Sequence, residues 1–201
     1  MALEDFRTYT EVDDDGDITV TQTKCDVSTM RRDAVSYVYK DMGVGHFGEF
    51  EHKFTIHIGT ADIFGVCGFW GLSNGAYTEQ DKRDDNEGLM FKLYERAVGV
   101  ESLELNEWPA FSSDLYDGDA NTTYYITIER AGLVLTAKIY SDAARTLLLD
   151  TLTVACVATA YRYIQTISSR ESAANAGASG TGYVENLDLQ EGYPHSFASV
   201  F

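Results

Sequence analysis

Alternation of apolar and polar side chains dominates this chain. Residues 50–60, FEHKFTIHIGT, place four large apolar side chains on one face and charged or polar side chains on the other. A period of two is the signature of a β-strand with one buried face. Residues 64–72, FGVCGFWGL, are apolar on both faces and rich in glycine. That composition predicts a central strand that is covered on both sides and closely packed.

The clearest hairpin is predicted in YYITIERAGLVLTAKIY, residues 124–140. A fold at Ala131 and Gly132 places Ile128 opposite Leu135 and sorts the remaining positions into one apolar and one polar face. A slip of one residue would bring the wrong faces together, because successive side chains point to opposite sides of a strand.

The acidic stretch EVDDDGDITVTQ, residues 11–22, is compatible with a calcium loop or with a turn. With Gly16 at the sixth position of an EF-hand loop, the twelfth position falls on Gln22, which cannot supply a bidentate carboxylate. The flanking segments also alternate like strands, whereas an EF-hand requires helices. These features favour a hairpin turn, with calcium as the alternative.

Two further strands are predicted near the end of the chain, at 161–168 and 182–190, with Tyr183, Leu187 and Leu189 on one face. The highly charged connection 75–88 is long enough to predict a functional, partner-contacting or mobile loop. No segment shows a convincing helical period. About a dozen short strands separated by turns predict a sandwich of two antiparallel sheets.

Composition narrows the function classes. The chain has 201 residues, a formal charge of −17 and a pI near 4.4. Such acidity argues against nucleic acid and against an anionic membrane surface as partners, since both are bound through Lys and Arg. The N-terminal MALEDFRTYTE lacks an apolar signal segment, and the apolar run 146–160 is too short to span a membrane. Three dispersed cysteines predict no disulfide framework.

Several stretches together resemble a known family. They are YVYKDMGVGHFGEFEHKF (37–54), GFWGLSN (68–74), TIERAGLVLTAKIYSDAARTLLLDTL (127–152) and GYVENLDL (182–189). The set resembles the concanavalin A-like lectin/glucanase domain in the form met in tailed-phage virion proteins, from about Phe6 to Leu189. The resemblance implies an all-β, concanavalin A-like jelly-roll sandwich of two antiparallel sheets. The family contains lectins, glycosidases and structural modules, so the fold alone does not fix a function.

A glycosidase of this family would need carboxylates that point into one cleft. The nearest candidate is ESLELNE, with Glu101, Glu104 and Glu107 at a spacing of three. On a strand, Glu104 faces away from the other two, which would lie roughly 20 Å apart at about 3.3 Å per residue. Retaining cleavage needs two carboxyl groups about 5–5.5 Å apart. The sequence therefore predicts a protein that is not an enzyme, with a glycoside hydrolase as the remote alternative.

Evidence for a metal or cofactor is weak. His52 and His57 have opposite parity on their strand, and His52 is predicted to be a hydrogen-bonded core histidine. The cluster DLYDGDANTT places Asp117, Asp119 and Asn121 at alternating positions, which makes them calcium candidates. Its Asp-Gly favours a turn instead. We therefore predict no cofactor, with calcium as the alternative.

Sugar binding typically uses an aromatic platform with amides and carboxylates beside it. Tyr77, Trp108 and Tyr116 are the candidate carbohydrate-binding residues, because they lie in or beside loops and are expected to be exposed. Trp70 has apolar neighbours and is predicted to pack in the core. A contact with another protein subunit would use the same residue types.

The sequence is divided into a sandwich at 1–190 and a C-terminal tail at 191–201. The tail, EGYPHSFASVF, carries Tyr193, Phe197, Val200 and Phe201. Free termini are usually disordered unless something holds them. We therefore expect these four apolar side chains to contact a neighbouring subunit, which could be a copy of the same chain.

The leading functional hypothesis from the sequence is a non-enzymatic structural protein of a phage-like virion, such as a capsid decoration or other surface component. It would be made in the host cytoplasm without a signal peptide and would bind capsid or other virion proteins, with a homo-oligomer as an option. The alternative is a carbohydrate-binding, lectin-like adhesin with a glycan partner.

Overall fold

The computed structural model describes residues 3–76, 78–85, 87–108 and 112–190. This part of the chain contains a 3-10 helix (Phe6–Thr8), fourteen strands and one α-helix. In chain order they are β1 (Thr10–Asp13), β2 (Ile18–Val20), β3 (Lys24–Arg31), β4 (Ser36–Asp41), β5 (Phe50–Ala61), β6 (Val66–Ser73), α1 (Glu79–Asp84), β7 (Gly88–Ala97), β8 (Val100–Trp108), β9 (Ser112–Gly118), β10 (Thr122–Ala131), β11 (Val134–Tyr140), β12 (Leu148–Ala155), β13 (Tyr163–Ser168) and β14 (Ser179–Asp188).

The strands form two antiparallel sheets of seven strands each, as the alternating sequence predicts. Sheet A has the order β1-β4-β13-β6-β7-β8-β9, and sheet B has the order β12-β11-β10-β5-β14-β3-β2. Their facing sides enclose one apolar core. Every residue of β6 is buried, which confirms the central strand predicted from its apolar and glycine-rich sequence. No helix in the described ranges is long and apolar enough to cross a membrane.

The acidic stretch at 11–22 is a turn but not a hairpin. β1 pairs with β4 in sheet A, whereas β2 pairs with β3 in sheet B, so the turn carries the chain from one sheet to the other. The Asp13 carboxylate holds the turn by accepting backbone N–H bonds from Gly16, Asp17 and Ile18 at 3.1, 3.2 and 2.9 Å. Local alternation identified both strands but could not show that they belong to different layers.

The predicted hairpin at 124–140 is present with its register shifted by two residues. Ile128 pairs with Ala137 and not with Leu135, because the turn lies at Gly132 and Leu133. Gly132 adopts φ +60° at the first turn position, a conformation that glycine reaches at little cost. A shift of two keeps every side chain on its predicted face, so the burial pattern remained correct.

A β-bulge changes the predicted faces of β14. The register of β14 shifts between Glu185 and Asp188, and Asn186 adopts φ +56° there. Val184 consequently lies in the core with Leu187, while Tyr183 lies on the outer face and stacks on His57. The prediction that Tyr183 shares a face with Leu187 is therefore wrong, because strict alternation fails across a bulge.

The charged connection at 75–88 contains the helix α1, which was not predicted from the sequence.

The predicted core positions of His52 and Trp70 are confirmed. His52 is buried and accepts a 3.0 Å hydrogen bond at Nδ1 from Trp70 Nε1, so both residues belong to the core. The three cysteines are free and buried. Burial raises the pKa of the Cys25 thiol to about 12.

Candidate functional site

The outer face of sheet A is covered at its centre by α1. Thr78 and Asp81 begin the helix with a capping box: Asp81 accepts the Thr78 N–H at 3.1 Å, and Thr78 Oγ1 accepts the Asp81 N–H. The Thr78 hydroxyl also lies 3.0 Å from a Glu171 carboxylate oxygen in the segment after β13. These contacts hold Glu79, the first helical residue, against the sheet.

Glycine makes room for the helix on this face. A Cβ atom added to Gly88 would clash with Lys82 Cδ at 2.9 Å, whereas one added to Gly71 would be in ordinary contact with Lys82 Cε at 3.6 Å. The fully buried stem of Lys82 therefore rests on bare strand backbone, and its Nζ donates to Gln165 Oε1. Burial lowers the pKa of Lys82 to about 7, although the nearby Glu79 carboxylate acts in the opposite direction.

Glu79 is the centre of a buried charge cluster. Its Oε1 lies 2.7 Å from Lys92 Nζ, 3.6 Å from an Arg83 guanidinium nitrogen and 3.7 Å from one of Arg170. Lys92 Nζ also lies 3.4 Å from Glu104 Oε2 on the neighbouring strand. Burial by itself would raise the pKa of the Glu79 carboxyl, but Lys92 and Arg170 more than offset it, so the pKa is lowered.

Beside this cluster is a groove of about 320 Å³, which we call the sheet A groove. Its lining residues come from the segments after β3 and β13 and from α1, β7, β8 and β9. They are Arg32, Arg83, Lys92, Tyr94, Glu104, Asn106, Glu107, Trp108, Ser112, Ser113 and Arg170. The volume lies near the lower end of the range of small-molecule sites, about 300–1,000 Å³.

The wall on β7 and β8 follows from strand register. Lys92 pairs with Glu104, and Met90 pairs with Asn106, so these side chains share the outer face of sheet A. Glu101 and Glu107 have the opposite parity, as predicted from their spacing, and the structure shows that both are buried. The charge of Glu107 acts on Tyr161, whose pKa is raised mainly by burial and further by this carboxylate. Glu104 therefore lies on the opposite face of β8 from Glu101 and Glu107.

The predicted sugar-binding aromatics are not brought together in the described part of the chain. Trp108 lines the groove, yet only 2% of its surface is exposed, so the expected exposure is wrong. Tyr116 pairs with Leu103 on the core-facing side of β9 and packs edge-to-face on Tyr124, with ring centroids 5.9 Å apart. Tyr77 and the tail residues Tyr193, Phe197, Val200 and Phe201 lie outside the described residues. Whether any of these residues contacts a sugar or a subunit stays a prediction.

The calcium candidates lie around the turn between β9 and β10. Asp117 accepts a 2.9 Å hydrogen bond from the Ser102 hydroxyl, and the Asp119 N–H donates to Tyr124 Oη at 2.8 Å. Asn121 adopts φ +55°, as expected of a turn residue. Within the described ranges, no group of three or more His, Cys, Asp or Glu side chains is arranged to hold a metal ion.

The outer face of sheet B is more open. Asp26, Tyr183, His57 and Thr123 lie in one row across four strands. His57 stacks on Tyr183 at 5.0 Å and its Nδ1 lies 3.1 Å from Thr123 Oγ1. Burial, and secondarily the charge of Lys24, lower the pKa of His57. Asp26, His57 and Tyr183 of this row line a second depression of about 390 Å³, which is more open to solvent than the sheet A groove.

Four residues that matter most at the sheet A groove were not predicted from the sequence, namely Arg32, Glu79, Lys92 and Arg170. One local signal was present, because Thr78 and Asp81, on either side of Glu79, have the spacing of a capping box. The meeting of the four residues was not visible, since they lie on four different segments that only the tertiary structure brings together.

Comparisons with known proteins support the fold. No protein-family model and no curated protein matches this sequence. Among solved structures, the legume lectin-like domain from Entamoeba histolytica is similar, with a TM-score of 0.55, 11% identity, and coverage of 90% of this chain and 89% of that one. The VIP36 exoplasmic/lumenal domain bound to Ca²⁺ and Man2 has a TM-score of 0.57, 8% identity, and coverage of 94% and 84%.

A phage protein also has a similar structure. The enzymatically active domain of Bacteriophage CBA120 tailspike protein 2 has a TM-score of 0.52 and 13% identity, and the match covers 94% of this chain and 30% of that one. At these identities the likeness concerns the fold. The chain has the legume lectin-like, concanavalin A-like jelly roll that its sequence resembles.

Proposed function

We propose that this protein is a non-catalytic, lectin-like module that binds a glycan in the sheet A groove. The observation that carries this proposal is the groove itself. It gathers the Asn106 amide and the Ser112 and Ser113 hydroxyl groups beside Tyr94 and Trp108. A concave site with a few convergent polar groups is the usual form of a small-molecule site. The fold is shared with lectins, including a mannose-bound domain.

A glycan array with the whole chain tests the proposal. We expect binding to a limited set of saccharides, and a large loss of signal in Asn106→Ala, which removes one polar group from the groove. Thr123→Ala on the outer face of sheet B is the matched control and should bind like the wild type. Equal binding by both variants would contradict the groove as the site. No binding to any saccharide by the wild type would contradict the function.

Two additions to the array separate the alternatives. Loss of binding on chelation would support a calcium-dependent site, in which the candidates Asp117, Asp119 and Asn121 could then be tested by substitution. Release of reducing sugar from a bound saccharide would contradict the non-catalytic proposal. We would then expect Glu101→Gln or Glu107→Gln to abolish that release.

The second candidate is the one favoured by the sequence, a structural component of a phage-like virion. One observation favours it: large apolar side chains are exposed at β12 and its neighbouring turns, as expected of a subunit contact. They are Leu133, Val134, Leu147, Leu148 and Leu149. In this proposal the protein is made in the host cytoplasm, contacts capsid or other virion proteins or copies of itself, and uses its 191–201 tail for docking. Co-purification with a particle, lost on deleting 191–201, would support it.

A further inference from the structure

The sheet A groove differs in charge from the rest of the molecule. Four of its lining residues are cations, and they come from four separate segments: Arg32, Arg83, Lys92 and Arg170. The whole chain carries only 15 lysines and arginines against 32 acidic residues. Glu79 beneath the groove and Glu104 in its wall offset part of this charge. Glu107, which is buried on the core side, offsets a third positive charge. The four cations and three glutamates together therefore leave one net positive charge.

Several polar atoms here lack a protein partner. Arg32 is 4% exposed, and one guanidinium nitrogen donates to the Phe64 carbonyl at 2.6 Å, yet its Nε is buried without a hydrogen-bond partner. Arg170 Nε and Asn106 Oδ1 are also buried without a hydrogen-bond partner. Buried polar groups are nearly always paired. Arg32 Nε and Arg170 Nε are N–H donors, whereas Asn106 Oδ1, like the unpaired Glu79 Oε2 beneath the groove, is an acceptor. Unpaired donors beside a groove are expected where a ligand completes the site.

Arginine donors select a particular ligand chemistry. A guanidinium presents a planar fork of N–H groups that matches a carboxylate or sulfate oxygen pair. Neutral hydroxyl groups do not need this number of cations. The Glu79 carboxylate occupies only the buried side of the cluster, where its Oε1 is shared by Lys92, Arg83 and Arg170.

We infer that the groove binds an acidic saccharide, one whose sugar carries a carboxylate or a sulfate that Arg32 and Arg170 contact. This inference rests on the proposed glycan-binding function and names the ligand class. The net charge of −17 repels a long anionic polymer, because fields of exposed charges reach about 10 Å at 0.1 M salt. The preferred ligand is therefore a short acidic oligosaccharide or a single acidic residue in a largely neutral chain.

The test compares matched saccharides by titration calorimetry. One uronate-containing oligosaccharide is used as such and after reduction of its carboxyl groups to alcohols, and a sulfated oligosaccharide of equal length forms a third arm. We expect binding to an acidic form and at least about tenfold weaker binding to the reduced form. Comparison of the uronate-containing and the sulfated oligosaccharide then identifies whether the groove binds a carboxylate or a sulfate.

Protein variants locate the anion. Arg170→Gln should weaken binding of the acidic saccharide about tenfold or more, and Asn106→Asp, which adds a negative charge to the groove, should weaken it further. Lys24→Gln is the control, since it removes the same unit of charge from the outer face of sheet B. Thermal unfolding of each variant checks that the sandwich is intact. If Arg170→Gln does not fold, Asn106→Asp alone carries the test.

The outcomes separate the two proposals. The acidic-ligand proposal would be overturned if the reduced and acidic saccharides bound with equal affinity and Asn106→Asp did not change the ratio of the two affinities. The glycan-binding function would remain. Loss of affinity in Lys24→Gln equal to that in Arg170→Gln would also overturn it, because binding would then follow overall charge. Failure of all three saccharides to bind, together with a blank glycan array, would overturn the proposed function itself.

Discussion

The outer faces of the two sheets start from similar strand chemistry and end in different environments. On sheet A, α1 and the segment after β13 cover the strands, so that Glu79, Lys82 and Lys92 are buried as charged or polar groups. On sheet B, the row through Asp26, Tyr183 and His57 stays half-buried. Ion pairs on these two faces have comparable N–O distances, yet burial gives them different energetic weight.

The difference shows what a third layer does to a sandwich. Water screens the Lys24–Asp26 pair, whose side chains are 32% and 42% exposed, so it contributes little. Glu79 and Lys92, at 0% and 3% exposed, depend on each other for stabilisation of their charges. A covered face can therefore hold cations beside a groove, whereas an open face can only present them to solvent.

The largest expected effect comes from removing the centre of the buried cluster. Glu79→Gln keeps the side-chain volume but leaves Lys92 and Arg170 without their shared anion. Breaking a buried ion pair costs about 3–5 kcal/mol, and we expect a loss of this size in the free energy of unfolding. Urea denaturation measures it. A loss below about 1 kcal/mol, the size for an exposed pair, would remove the energetic difference between the two faces.

Lys82 should make stability depend on pH. Its pKa is lowered to about 7 in the folded protein from 10.5, so between these values the unfolded chain binds more protons. The free energy of unfolding should therefore rise with pH across this window, by at most about 1.4 kcal/mol per pH unit. Below pH 7 both states are protonated and this contribution is constant.

The comparison is the wild type against Lys82→Met in urea at several pH values from 7 to 10. The difference in unfolding free energy, wild type minus variant, should increase with pH, because the other titrating groups are common to both proteins. Parallel curves would show that Lys82 keeps an ordinary pKa and that α1 does not exclude water from this face.

The capping box should be worth a smaller amount. Thr78→Ala removes the hydroxyl that caps α1 and contacts Glu171, and the expected loss of stability is about 1–2 kcal/mol. Thr78→Ser keeps the hydroxyl and should restore most of the loss. Thermal unfolding of both variants is the measurement. If serine behaves like alanine, the methyl packing of Thr78 matters more than its hydrogen bonds.

The smallest effect is expected on the open face. Asp26→Asn removes the anion from the exposed pair with Lys24 and should change the unfolding free energy by less than about 1 kcal/mol. It is the matched control for Glu79→Gln, since both substitutions turn a carboxylate into an amide. A large loss here would mean that the row on sheet B is more protected from water than its exposure indicates.

The all-β class, the buried face of β5, the doubly covered β6 and the core position of His52 could all be predicted from the sequence. Each depends on local information, because alternation or continuous apolarity within a strand fixes which side chains avoid water. Predictions failed where a local irregularity intervened. The turn at Gly132 moved a register by two residues, and the bulge at Asn186 reversed the faces of Val184 and Tyr183.

The sheet that each strand joins, and the site, were decided only by the tertiary structure. β1 and β2 are neighbours in sequence yet lie in different sheets, since pairing partners are selected by burial over long distances. Arg32, Glu79, Lys92 and Arg170 look like ordinary solvated charges along the chain. They become a groove only because folding places four segments together and removes water from the charges, which strengthens their interactions.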